Sequence, residues 1–144
     1  MSDQNLPHVI VGVATIITRD DRVLLIRRKY VHGEGSWSTP GGRMEFKESV
    51  EQCAARETLE ETGLVVTDIH FIALTNDFFP EYNRHYLSVW MRATAAEGEP
   101  FLAAPYESDA IGWYAWDHLP EPLFMPFKHL LDGECLPPGA LSSQ

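Results

Sequence analysis

The chain predicts an α/β fold in which a mixed sheet lies between helices. Three observations carry that prediction. The apolar pattern runs strand, strand, loop, helix, strand, strand, strand, helix, an order that stacks a sheet between helical layers. Its 144 residues suffice for one domain, residues 1–144, with a sizeable core. Hydrophobic and charged fractions of 44% and 22% are those of a globular protein, which excludes a disordered or fibrous chain.

Residues 8–18 and 23–28 are β-branched and aliphatic runs, and Arg19-Asp20-Asp21-Arg22 joins them as a hairpin turn. Residues 29–39, with Gly33 and Gly35, read as a loop. A helix follows over 49–62, with Ser49 as N-cap, Gln52 at the capping-box position and Gly63 as its closing glycine. Residues 65–75 are strand-like, and 76–83, with Pro80, form a loop. Residues 85–93 alternate: His85, Leu87, Val89, Met91 and Ala93 face one way, and Tyr86, Ser88, Trp90 and Arg92 the other. A polar, proline-bearing loop over 95–109 leads to a short strand at 111–116. The last helix spans 123–131, with Pro126 near its first turn. Residues 136–144 read as a flexible tail.

The helix over 49–62 carries the chemistry. At about 100° per residue, Glu61 lies at about +40° from Glu57 and Glu60 at about −60°. Val50 and Ala54 fall at about +20° and +60°, so the carboxylates continue the apolar stripe rather than the solvent face. Leu59 and Ala55 lie on the far side, which predicts cover on two sides. Carboxylates crowded on a covered face repel one another and resist ionisation. A divalent cation removes the conflict, and Mg²⁺ suits it because it takes oxygen ligands and bridges carboxylates to phosphates. Gly41 and Gly42, after Pro40, allow close approach of backbone to a ligand, so a carbonyl there can reach the metal.

The net charge of −10 argues against binding a nucleic acid polymer or an anionic membrane surface, but not against small anionic substrates. Cys53 and Cys135 make no disulfide framework and fit a reducing cytoplasm. No signal peptide is read at the N-terminus and no apolar run approaches 18 residues, which predicts a soluble cytoplasmic protein.

From Gly42 to Leu64 the chain reads GRMEFKESVEQCAARETLEETGL. This resembles the Nudix box, G-x5-E-x7-R-E-U-x-E-E-x-G-U, where U is a bulky apolar residue. Gly42, Glu48, Arg56, Glu57, Glu60, Glu61 and Gly63 all match, and only Thr58 departs, at the first U. Seven fixed matches arise by chance at roughly 10⁻⁸ to 10⁻⁹ per starting position. The resemblance implies an α/β/α sandwich and a pyrophosphohydrolase using Mg²⁺, for which Mn²⁺ can substitute. Glu57, Glu60, Glu61 and the Gly41 carbonyl would hold the metal. Arg56 would orient a catalytic glutamate. Glu48 completes the acidic set, either in catalysis or in a hydrogen bond to the loop.

Outside the box, the resemblance makes Arg28, at the end of the second strand, a candidate for substrate phosphate. His85 borders a candidate base pocket, and Glu107 in the loop over 95–109 is a candidate general base alongside the box glutamates. Downstream, Pro80 and Tyr82 satisfy two spacing cues that point to different substrates, ADP-ribose and dinucleoside polyphosphates, and so cancel. The outline Gly35-Ser36-Trp37, Pro40-Gly41-Gly42 and Trp113-x-x-Trp116-x-x-Leu119-Pro120 is similar to MutT-like nucleoside triphosphate pyrophosphatases. It favours a small nucleotide substrate, cleaved to monophosphate and pyrophosphate. Hydrolysis of a nucleoside diphosphate linked to another group, such as ADP-ribose, and a catalytically silent nucleotide sensor remain as alternatives. Oligomeric state stays open, a homodimer included.

Overall fold

Residues 7–95 and 97–143 are described by a computed structural model of the chain. Residues 1–6, which the N-terminal reading used, lie outside them, as do Ala96 in the long loop and Gln144 at the end of the tail.

The first hairpin forms as expected from β1 (Val9–Arg19) and β2 (Arg22–Arg28). Asp20 and Asp21 both take positive φ, 51° and 61°, a two-residue turn whose twist matches that of the flanking strands. The sheet runs β3 (Trp37–Ser38), β2, β1, β6 (Arg84–Ala95), β5 (Val66–Phe79). β4 (Gly41–Arg43) pairs with β1, and β7 (Ser108–Ala115) with β2. β1 and β6 are parallel from Val9↔His85 to Thr18↔Thr94, while β5 and β6 are antiparallel, so the sheet is mixed as predicted.

Alternation puts successive residues of β1 and β6 on opposite faces. Ile16 and Trp90 pack with Phe127 and Leu130 of α2 (Met125–Leu131). Val13, Val89 and Met91 pack with Cys53 and Ala54 of α1 (Val50–Thr62). Both parities are apolar because both faces are covered, and the result is an α/β/α sandwich.

Four local expectations are corrected. Leu59 is 51% exposed, so the far side of α1 is covered around Ala55 and Thr62 but open at Leu59. β5 continues past Thr75 to Phe79, because residues 76–79 still pair with residues 84–87 of β6. The loop shrinks to a 3-10 turn, Pro80–Tyr82, closed by Asn83 at φ 48°. β3 and β4 are too short for periodicity to reveal. The segment expected to fray after Leu136 is held instead. The Leu136 N–H donates to the Leu74 carbonyl, and the Leu74 N–H to the Leu136 carbonyl, both at 2.9 Å, and Ala140 is buried beside Cys135. The outer edge of β5 has backbone groups to satisfy, and the tail satisfies one pair of them.

One break in the sheet makes room for a site. β1 meets β2 only at Thr18↔Val23 and Arg19↔Arg22, whereas Gly12, Val13 and Ala14 take β4 as their partner. A cleft of 620 Å³ is lined by residues from β1, β2, β4, α1 and β6.

Candidate active site

The caps set the phase of α1. Ser49 Oγ accepts from the Gln52 N–H at 3.0 Å, and Gln52 Oε1 accepts from the Ser49 N–H at 2.9 Å. That reciprocal pair is the capping box read from the sequence. Gly63 ends the helix at φ 77°. Between the caps, Glu57 and Glu61 point into the cleft.

β4 closes on them from the sheet. A Cβ on Gly42 would stand 2.5 Å from the Glu57 carboxylate, so only glycine admits this approach. The Gly41 N–H donates to Glu61 Oε2 at 3.1 Å. Gly41, expected to offer a carbonyl to a cation, is thus seen holding a carboxylate through its donor.

Glu61 is 5% exposed. Burial, followed by the charge of Glu57, pushes its carboxyl well above the usual carboxylate range. Burial also raises Glu57, against the opposing pull of Arg56. Two desolvated carboxylates one turn apart offer hard oxygen donors and an excess of negative charge, which fits a divalent cation. Among the described residues no three His, Cys, Asp or Glu side chains converge to enclose an ion. A cation held here would complete its shell from water, backbone or phosphate oxygens, as Mg²⁺ does.

Arg56 organises the acidic set. Its Nε and Nη2 form a fork on Glu48, at 2.6 and 3.0 Å. Its Nη1 donates to Glu57 at 2.8 Å and to Glu60 at 3.2 Å, and Nη2 also donates to the Arg43 carbonyl at 3.1 Å. The Arg56 fork, with the Glu45 N–H, lowers the Glu48 acid to about 2. Glu48 is absent from the cleft lining. Its place is behind Arg56, which favours the hydrogen-bonding role over the catalytic one. Glu60 is also outside the lining, at the exposed rim, its carboxylate side by side with Glu57 on one guanidinium nitrogen.

Arg28 lies in the cleft, its guanidinium 4.0 Å above the Phe124 ring and its Nε donating to the His32 carbonyl at 2.8 Å. Glu107 lines the same cleft from the loop before β7, and its charge acts on both Arg28 and Glu61. His85 does not belong to the site. It bonds Asn76 at 2.5 Å and meets the Phe78 ring, outside the cleft lining. The reason is parity: Tyr86, one residue on, shares the face of Trp90 and takes the place expected for His85.

The far end of the cleft is aromatic. His32 stacks on Tyr86 at 5.1 Å and meets Phe79, Phe124 and Tyr82 at 4.9, 5.6 and 6.0 Å. Burial first, then the nearby cations Arg28, Arg43 and Arg84, lower the His32 imidazole to about 4. Between pH 6.5 and about 4 the unfolded chain therefore binds a proton that the folded chain refuses, and stability falls as pH falls through that window. His32→Gln is expected to remove about 2 kcal/mol or less of this acid sensitivity. Melting temperatures of both proteins from pH 7 to pH 4 check it, and parallel curves would refute it.

Residues 6–132 match the NUDIX domain. The chain belongs to the Nudix family. It is 35% identical over 117 residues to the NAD-capped RNA hydrolase NudC of Stutzerimonas stutzeri, covering 81% of this chain but 40% of that protein. The chain thus spans about two fifths of the length of its NudC relatives. It is 35% identical over 108 residues to the oxidized purine nucleoside triphosphate hydrolase of Danio rerio, covering 73% of this chain and 65% of that one. Among solved structures it is similar to the MutT NUDIX hydrolase from Burkholderia pseudomallei, with a TM-score of 0.78 and 34% identity over 82% of this chain and 92% of that one. Arg56, Glu57, Glu60 and Glu61 thus sit on the helix that the sequence assigns to them and Gly42 on the short strand β4, while His32, Phe79 and Phe124 enter the site only through the fold. Tyr86 alone had a usable signal, its alternation with Trp90.

Proposed function

We propose that this Nudix protein is a Mg²⁺-dependent hydrolase that cleaves a nucleoside triphosphate, normal or modified, to nucleoside monophosphate and pyrophosphate. The observation that carries the proposal is one cleft with a buried and a half-buried carboxylate, Glu61 and Glu57, at one end and a wall of aromatic rings at the other. Phosphates belong at the first end and a base at the second, since rings stack on any base.

Glu57 and Glu61 would hold the cation, with Glu60 joining from the rim, and Mn²⁺ would serve in place of Mg²⁺. When bound, the metal neutralises phosphate oxygens and lowers the pKa of a water. Arg56 fixes Glu57, so the donor geometry exists before substrate arrives. Arg28 would offer its guanidinium to the phosphate chain. Glu107, exposed in the cleft lining, or a box glutamate would take the proton of the attacking water.

The NudC likeness favours a second reading, a nucleoside diphosphate joined to another group as substrate. Chromatography of the products from canonical and oxidised deoxynucleoside triphosphates, ADP-ribose and NAD separates the two. Monophosphate with intact pyrophosphate is expected from the triphosphates. Turnover of ADP-ribose or NAD alone, or release of a lone terminal phosphate, would overturn the triphosphate reading. Tight binding without hydrolysis would make the protein a sensor.

A further inference from the structure

Behind the aromatic end of the cleft lies a polar network outside the Nudix box. Asp77 of β5 is wholly buried, at 0% exposure. Its Oδ2 lies 2.7 Å from Thr75 Oγ1 and 2.6 Å from Ser88 Oγ, and its Oδ1 lies 2.7 Å from His129 Nδ1 on α2. Trp90 Nε1–H, which can only donate, points at Thr75 Oγ1 at 2.9 Å. Thr75 therefore accepts from Trp90 and gives its own hydrogen to Asp77. A carboxylate has no hydrogen to give, so Ser88 must also donate to Asp77.

Ser88 is at the same time part of the cleft lining, between Tyr86 and Trp90 on one strand face. Its neighbour on β1 is Gly12, which has no side chain to cover it. A hydroxyl ordinarily rotates to suit either a donor or an acceptor. This one has its hydrogen committed inward, and it shows the cleft only lone pairs.

We propose that Ser88 is a specificity-determining residue that selects a nucleobase edge carrying an N–H donor, such as an exocyclic amino group. The inference rests on reading the cleft as a nucleotide site. A base with only acceptors at this point would set lone pair against lone pair and leave both without a partner, a loss that discriminates more sharply than shape does. Thr75, Asp77, Trp90 and His129 act through Ser88, by fixing the direction of its hydrogen.

The test compares bases that differ only in donors. 2,6-Diaminopurine riboside triphosphate carries amino groups, whereas purine riboside triphosphate has no base N–H at all. Cytidine triphosphate and its 4-deamino analogue, 2-pyrimidinone riboside triphosphate, form the matching pyrimidine pair. In wild type, the donor-bearing member of whichever pair is hydrolysed should be favoured by roughly tenfold in kcat/KM, the worth of one hydrogen bond with its buried partner. Ser88→Ala should bring that ratio to within about twofold of unity by slowing only the donor-bearing member. Equal handling of the two members by wild type overturns the proposal, whether or not the variant folds. A ratio unchanged in a folded Ser88→Ala overturns it as well. If none of the four is bound or hydrolysed while the deoxynucleoside triphosphates are, the Ser88 assignment falls and the nucleotide reading stands; if no nucleotide of either set is bound or hydrolysed, both fall.

Discussion

Glu61→Gln should lower kcat by roughly 10²-fold or more while making the metal-free protein more stable. The two effects share one cause. In the fold, burial and the charge of Glu57 disfavour the Glu61 carboxylate. The folded chain therefore holds a proton on Glu61 that the unfolded chain releases, and stability drains away as pH rises above the ordinary carboxylate range. Glutamine keeps the acceptor for the Gly41 N–H and removes the charge. Melting in EDTA should show Glu61→Gln above wild type by a few degrees near pH 8, with the gap closing toward pH 5. Assays with Mg²⁺ should show the activity lost, because a neutral amide is a poor partner for a hard cation. Glu57→Gln should lose activity similarly, with a smaller gain in stability because Arg56 already compensates that charge. Full turnover by either variant would remove these carboxylates from the site. A Glu61→Gln protein less stable than wild type at every pH would mean that the ionised form is not disfavoured in the fold.

The contrast between Glu57 or Glu61 and the rest of the cleft shows which parts of such a site a sequence can carry. The carboxylates lie within one helix, so their common direction follows from 3.6 residues per turn, and the caps at Ser49 and Gly63 leave the phase no freedom. Gly42 was legible as a close approach, though not as a close approach to Glu57. The aromatic wall was not legible, because its rings come from places distant in the chain. Phe79 stood in what reads as a loop, His32 in a glycine-rich segment and Phe124 at the start of a helix, and only the assembled fold brings them together. Asp77 fell in the same stretch read as a loop, and the partners that let it be buried, Ser88 and His129, come from β6 and α2. The tail was misread because the edge that captures it, at Leu74, is defined only once the sheet is assembled.

Arg56→Lys should lower kcat by about 10- to 100-fold with little change in KM. The charge survives this substitution, but the fork does not. Arg56 serves Glu48, Glu57, Glu60 and the Arg43 carbonyl at once from three nitrogens in one plane, and a single ammonium cannot span them. Glu57 would keep its place on the helix and lose its fixed rotamer. Ground-state binding, which the proposed function assigns to Arg28 and the aromatic wall, would be largely preserved. Glu48→Gln is the informative companion. Its carboxylate lies outside the cleft lining and meets the Arg56 fork and the Glu45 N–H, so its effect should have the same sign, be smaller, and fail to add to that of Arg56→Lys. A double-mutant cycle on kcat measures this directly. Additive losses would mean that Glu48 acts on its own, restoring the catalytic role the Nudix box allows it. A rise in KM without a fall in kcat for Arg56→Lys would place the guanidinium against the substrate rather than behind Glu57.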